Sequence, residues 1–294
     1  MLTFGLVLPT MRSGASAELI EAGAETAGRL GWDAVWTTDH VLVPGSAAGD
    51  YGRIYEAVAT LTWVGARHPG LRLGTSVIVV PQRNAVVLAK ELATIDALSE
   101  GRVLAGVGAG WNEAEFENLG AGERFHQRGA YLDEAIALWR HLWSGSSAPF
   151  EGRFHRIEDF AFEPLPAQGA DLPIVVGGPS PAALRRAGAL GDWYQSSGTS
   201  PAAYADRVEP IRRAAAAAGR PMPTLSARVT VALGSEEERE GLLSGDVDAV
   251  IEGVRAFEAL GIEHLAIAFT DRDPGDLVTA IERFDAEVAQ TIRG

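Results

Sequence analysis

Cysteine is absent from the 294-residue chain. That excludes disulfides, thiolate nucleophiles and cysteine-based zinc or iron–sulfur sites. No apolar run approaches the ~18 residues that a membrane span needs. Met1–Thr10 enters a strand at once, with no basic n-region or cleavage site, so a secretory signal is not expected. Positive charge is in short supply as well. A formal net charge of -14 argues against nucleic acid or an anionic membrane as the main partner. It leaves room for an anionic ligand, because a local cluster of donors can outweigh a distant surface field. Familiar catalytic signatures are missing: HExxH, GxSxG and GxxxxGKS/T do not occur, and no acidic cluster has metal-ligand spacing. His126, His141 and His155 do not share the spacing of a metal set, so no metal is expected. These exclusions point to a soluble cytoplasmic protein with a small-molecule partner.

The composition that remains, 47% hydrophobic and 22% charged, is ordinary for a globular chain long enough to bury a large core. Short β-branched runs alternate with Ala/Leu/Glu/Arg-rich segments. Strands are expected at Thr3–Leu8, Ala34–Thr38, Leu71–Val79, Val103–Val107, Pro173–Val176, Asp192–Ser196, Ala227–Leu233 and His264–Phe269. Amphipathic helices are expected at Ala17–Leu30, Tyr55–Arg67, Val86–Leu98, Arg128–Trp143, Pro181–Leu190, Pro201–Ala218, Val247–Leu260 and Asp276–Thr291. Glycine follows the helix at Leu30-Gly31 and Leu260-Gly261, and Ser180-Pro181 supplies an N-cap with proline behind it. Strict alternation with no linker favours a single α/β domain over residues 1–294, a (βα)8 TIM barrel, over an open doubly wound sheet. Loop insertions are expected after strands two and four. Phe150–His155 reads as a small hairpin, and Glu236-Glu237-Glu238 as the solvated start of a helix. Tyr131, Trp139 and Trp143, at helical spacing, read as packing.

In such a barrel the loops that follow the strands build the site. Asp39-His40 stands directly after strand two. The histidine suits general acid or base work, and the pair could equally be a loop-satisfying His beside a turn-capping Asp. Neighbours on a strand point to opposite faces, so the two need not touch. Gly106-Val107-Gly108-Ala109-Gly110-Trp111-Asn112 lacks the GxGxxG spacing of a dinucleotide site. Its glycines would let a planar ligand approach, with Trp111 covering a ring; a mobile turn with Trp111 in the core is the alternative. Val176-Gly177-Gly178-Pro179-Ser180-Pro181 opens a helix, and its bare N–H groups suit a phosphate, though an ordinary βα turn would look alike. Gly74-Thr75-Ser76-Val77 puts a glycine inside a strand, a hint of unusual backbone at the rim. Asn84 reads as a helix N-cap.

Taken together, these pieces resemble the luciferase-like monooxygenase superfamily, and in particular its branch of coenzyme F420-dependent oxidoreductases. The resemblance rests on Leu30–Trp36 leading to Asp39-His40. It rests further on the block from Leu73-Gly74-Thr75-Ser76-Val77 through Ala89–Asp96 to Ser99–Val103, then on Gly106–Trp111, Arg128 with Leu132-Asp133-Glu134, and Pro173–Gly178. It implies a barrel binding F420, or alternatively reduced flavin mononucleotide (FMN), across the strand ends. His40 and Asp39 would be the catalytic pair beside the reacting ring. Ser76-Val77 would carry a non-prolyl cis peptide behind that ring. Gly108 and Asn112 would approach the cofactor, Gly177-Gly178 would take its phosphate, and Trp36 and Trp111 would line the substrate pocket. The implied reaction is hydride transfer at C5 of the deazaflavin. Two other readings stay open: an FMN-dependent monooxygenase using O2, and a cofactor-free ligand-binding barrel. Similar proteins imply a homodimer. Ala85, Gln195-Ser196-Ser197 and the short segment Gly234–Asp246 depart from the pattern, which leaves the substrate lid undefined.

Overall fold

The computed structural model describes residues 1–294, with every side chain except that of Asp50. Eight parallel strands close on themselves: β1 (Thr3–Val7), β2 (Ala34–Thr37), β3 (Arg72–Thr75), β5 (Val103–Gly108), β8 (Ile174–Gly177), β9 (Trp193–Ser197), β10 (Thr224–Leu233) and β12 (Ile262–Phe269). Pairing of β9 with β10, through Leu225 opposite Tyr194 and its neighbours, completes the ring and rules out the open sheet. Helices α1 (Ala17–Arg29), α3 (Ala57–Arg67), α4 (Ala85–Leu98), α6 (Arg128–Trp143), α7 (Pro181–Leu190), α8 (Pro201–Ala217), α9 (Val247–Ala259) and α10 (Pro274–Phe284) alternate with them. None of the described helices is long and apolar enough to cross a membrane.

Local chemistry sets the element ends as expected. Asn84 accepts from the amides of Val86 and Val87, Ser180 accepts from that of Ala183, and Gly31 and Gly261 follow their helices at φ 70° and 81°. Tyr131, Trp139 and Trp143 are buried, and the Phe150–His155 segment forms a hairpin between β6 (Phe150–Glu151) and β7 (Arg156–Ile157). The block that carried most of the resemblance is largely scaffold. Asp96, fully buried, accepts from the amides of Val103 and Gln168. Arg102 donates to the carbonyls of Gly65, His68, Leu71 and Ser99, tying β5 to the end of α3.

Four expectations change. The third strand is not continuous: β3 stops at Thr75 and a short β4 (Ile78–Val79) resumes against β5, with a break at Ser76-Val77. No helix begins at Glu236–Glu238; the exposed loop there leads into β11 (Leu242–Gly245). That strand pairs with residues 230–233 of β10, the stretch beyond the reach of β9. The short segment Gly234–Asp246 therefore extends the barrel wall at its mouth. The last helix ends at Phe284 and passes through a π turn at Asp285–Ala289 into α11 (Gln290–Arg293). Buried Asp285 accepts from the Trp32 indole at 2.9 Å, a tertiary bond that accompanies the wider turn. Trp36, finally, lies in the barrel interior rather than in the substrate pocket. It is fully buried, its indole N–H donates to His264 at 3.0 Å, and a Cβ on Gly74 would meet its ring at 2.2 Å. Gly74 thus makes room for Trp36, a large interior side chain that a strand with ordinary residues opposite would exclude.

Candidate active site

Strand alternation brings Thr38, Ser76, Gly108, Gly177, Ser197 and Arg228 to the C-terminal ends of the strands as the uppermost interior layer. They line a cleft of about 660 Å³. Around them stand the loops after β2 and β5. The first holds α2 (Ala48–Tyr51) and the second α5 (Glu113–Asn118). The volume lies in the range of small-molecule and cofactor sites.

His40 forms one wall. It does not touch Asp39, as expected from alternation, and its partner is a residue that sequence reading passed over. Glu115 accepts from His40 Nδ1 at 2.8 Å through one oxygen, while its other oxygen accepts from the amides of Val41 and Leu42 at 2.7 and 3.3 Å. Glu115 is buried. Burial alone would raise its carboxyl pKa, but the bonds from His40 and Val41 prevail and hold it below the ordinary carboxylate range. An anion opposite Nδ1 sets the imidazole with its proton there, so Nε2 is the atom left to exchange one. Tyr51 lies tilted against His40 with ring centroids 4.2 Å apart, and Trp111, 62% exposed, closes the wall edge-on at 6.1 Å.

Asp39 is spent on structure. Its oxygens accept from the Val79 amide at 2.9 Å and from Arg83 at 2.6 Å, and Arg83 also pairs with Glu56 at 2.7 Å. Burial would lower the Arg83 pKa, yet the two carboxylates raise it overall. Asp39 therefore braces the backbone just beyond Ser76-Val77, whose peptide is cis. Asn112 is not part of the cleft lining; its side chain caps α5 by accepting from the Glu115 amide at 3.4 Å. The cap uses the Asn112 side-chain oxygen and places the residue at the start of α5.

Gly108 and Gly177 do line the cleft, but their missing side chains make room for protein first. A Cβ on Gly108 would lie 2.7 Å from one Val77 methyl, and a Cβ on Gly177 would lie 2.8 Å from the other. Val77 is thus wedged between them as the cleft floor. Gly178, at φ 113°, leads into the amino end of α7, and Arg128 and Arg186 stand at the same end. Arg186 pairs with Asp133 and donates to the Gly129 carbonyl at 3.0 Å; Arg128 donates to the carbonyls of Gly110 and Phe125. Across the floor, Arg228 donates to Thr38 Oγ1 at 2.9 Å and to the Ser76 carbonyl at 3.0 Å. Burial depresses its pKa to about 10. Arg228 left a faint trace in the sequence, a lone charge within the alternating strand Leu225–Val231, and Glu115 left another, an acid three residues after a capping Asn. Among the described residues, no group of three or more His, Asp or Glu side chains is placed to hold a metal.

A cleft with one aromatic wall, an apolar floor and guanidinium groups at its ends has the shape and charge to accept a flat, anionic ligand. The luciferase-like monooxygenase family matches residues 2–241. The F420-dependent glucose-6-phosphate dehydrogenase of Mycobacterium tuberculosis is 30% identical over 291 residues, covering 92% of this chain and 85% of that protein. The F420-dependent tetrahydromethanopterin reductase of Methanopyrus kandleri superposes with a TM-score of 0.79 at 17% identity, covering 99% of both chains. The monooxygenase RslO1 of Streptomyces bottropensis gives 0.82 at 21% identity, covering 99% of this chain and 100% of the other. The two solved structures share the fold; the sequence matches go further, and the chain belongs to the luciferase-like monooxygenase family.

Proposed function

We propose that the protein is an oxidoreductase that transfers a hydride between coenzyme F420 and a small organic substrate at the barrel mouth. The observation that carries this is the buried Glu115–His40 pair on the wall of a cleft floored by Ser76-Val77. F420 is favoured over FMN because the 30%-identical relative is F420-dependent by name. The cleft fits such a group. Its volume accommodates a fused ring, Val77 offers an apolar floor, and Gly177-Gly178 with Arg128 and Arg186 would hold an anionic tail. When bound, the coenzyme would supply two-electron hydride chemistry, and the protein supplies orientation and a path for the proton.

His40 is the catalytic residue in this reading. With Nδ1 committed to Glu115, Nε2 takes the proton from a substrate hydroxyl, or returns one to a carbonyl in the reverse direction. Asp39, Arg83 and Arg228 are positioning residues that fix the backbone on either side of the floor. Trp111 and Tyr51 exclude water from the wall where the proton moves. Glucose 6-phosphate, the substrate in the name of the relative, is the first compound to try. As part of the same proposal the enzyme is a cytoplasmic homodimer. Trp63, Val87 and Leu98, apolar and 40%, 54% and 78% exposed on α3 and α4, support self-association, which sedimentation would test.

Titrating the purified protein with F420 and with FMN decides the cofactor. Saturable binding of F420, with its absorbance changing only when a substrate is added, is the expected result. Binding of reduced FMN with substrate-dependent oxygen consumption would replace it with the monooxygenase reading, and no change with either cofactor would leave a ligand-binding barrel.

A further inference from the structure

Beside the cleft, on the side of β1, β10 and β12, lies a second cavity of about 90 Å³. Arg228 and Met11 line both, so the two spaces adjoin. Arg12, Arg239, Arg272, Thr230 and Thr270 complete the polar lining of the smaller one. Resting on the function proposed above, we infer that Arg12, Arg228 and Arg272 form an anion subsite that holds a phosphate or carboxylate group of the substrate.

Three arginines, Arg12 exposed, Arg272 half-buried and Arg228 buried deepest, border this cavity where the protein offers them little in return. Among the described residues none of the three forms an ion pair, and the side chains of Arg12 and Arg272 make no hydrogen bond. Arg228 spends only Nη1, on Thr38 and Ser76. Burial and the neighbouring Arg12 both lower the pKa of Arg272, which Asp271 partly offsets. Arg239 also lines the cavity but is already paired with Glu237 at 2.9 Å. In a chain of net charge -14, such a cluster is a local concentration of positive charge.

The backbone is shaped to bring it together. Arg12 takes φ 75°, a conformation uncommon for a residue with a side chain, while its amide is tied to the Arg53 carbonyl at 2.9 Å. Gly14 lets the loop close on its neighbour, since a Cβ there would lie 2.8 Å from the Arg272 Cβ. The cavity has the size of an oxyanion rather than of a ring, and guanidinium groups present paired N–H donors to carboxylates and phosphates. An anionic group held here would place the remainder of a substrate over the floor between Arg228 and His40.

Inorganic phosphate is the probe, titrated by calorimetry and by melting temperature into both the free and the F420-saturated protein. The variant is the double substitution Arg12→Gln with Arg272→Gln, which spares the cleft floor. Phosphate should bind the wild type in both states, and the double variant should bind it about tenfold more weakly. Without phosphate, the variant should melt no lower than the wild type, because it relieves repulsion among like charges. Phosphate should also inhibit turnover competitively against substrate. Unchanged phosphate affinity in the variant, loss of phosphate binding once F420 saturates, or noncompetitive inhibition would each overturn the inference. A protein that binds phosphate through these arginines but refuses F420 would support the anion subsite and refute the cofactor reading.

Discussion

His40 and Glu115 show how a site can hinge on a contact that spans 75 positions of chain. The carboxylate is buried, satisfied on both oxygens, and aimed so that the imidazole keeps its proton on Nδ1. Replacing it with glutamine preserves shape but removes the charge that stabilises a protonated His40 during transfer. Glu115→Gln should reduce kcat by about 10–100-fold, with KM little changed and partial recovery in Glu115→Asp. The same carboxyl gives a pH signature in stability. Its folded pKa lies below the reference value of 4.5, so the folded state binds its proton less readily than the unfolded chain. The stability it contributes is present above the unfolded value and is lost as pH falls through the folded one. Melting temperatures from pH 6 to 3 should therefore fall less steeply in Glu115→Gln than in the wild type. The position of His40 was legible in the sequence because rim location and residue type are local facts. Its partner was not, because the loop after β2 and the helix after β5 meet only once the barrel closes.

At the scale of elements, the interrupted third strand and its two glycine neighbours act as one unit. β3 ends at Thr75, and the Thr75 hydroxyl bridges to β5 by donating to the Gly106 carbonyl and accepting from the Gly106 amide. Val77 then drops between Gly108 and Gly177. The glycines were visible in the sequence as a pattern that favours close approach, and a valine of the same chain lies close against both. Adding a methyl to either glycine should displace the floor. Gly108→Ala is expected to cost about 1–3 kcal/mol in chemical denaturation. The combination with Val77→Ala should cost less than the two single changes summed, since each methyl competes for one space. Additive losses would show that the glycine and the valine are independent. The short strand β11 illustrates the opposite limit of sequence reading. Leu242–Gly245 has neither alternation nor β-branching, and it becomes a strand because β10 outruns β9 and leaves ladder groups to be paired.

The whole molecule is a barrel closed at the floor by bulky side chains and open at the rim, and the floor holds its own titrating group. His264 is fully buried beneath the cleft, accepting from the Trp36 indole on Nε2 and meeting the Thr3 hydroxyl at 2.8 Å on Nδ1. A second ring proton would set one N–H against another. Burial, and then the charge of Arg72, push the pKa down to about 3 from the usual 6.5. The unfolded chain takes up this proton below about pH 6.5 while the folded barrel refuses it. Stability should hence be fullest above that pH and decline as acid is added toward pH 3, in proportion to a single proton bound on unfolding. His264→Gln can keep a bond to the Trp36 indole without titrating, so its melting temperature should start somewhat lower at pH 8 and fall by less between pH 7 and 4. A variant whose acid response matched the wild type would locate the sensitivity elsewhere. Strand alternation alone placed residue 264 in the last strand, but the direction of its effect follows from closure of all eight strands around it.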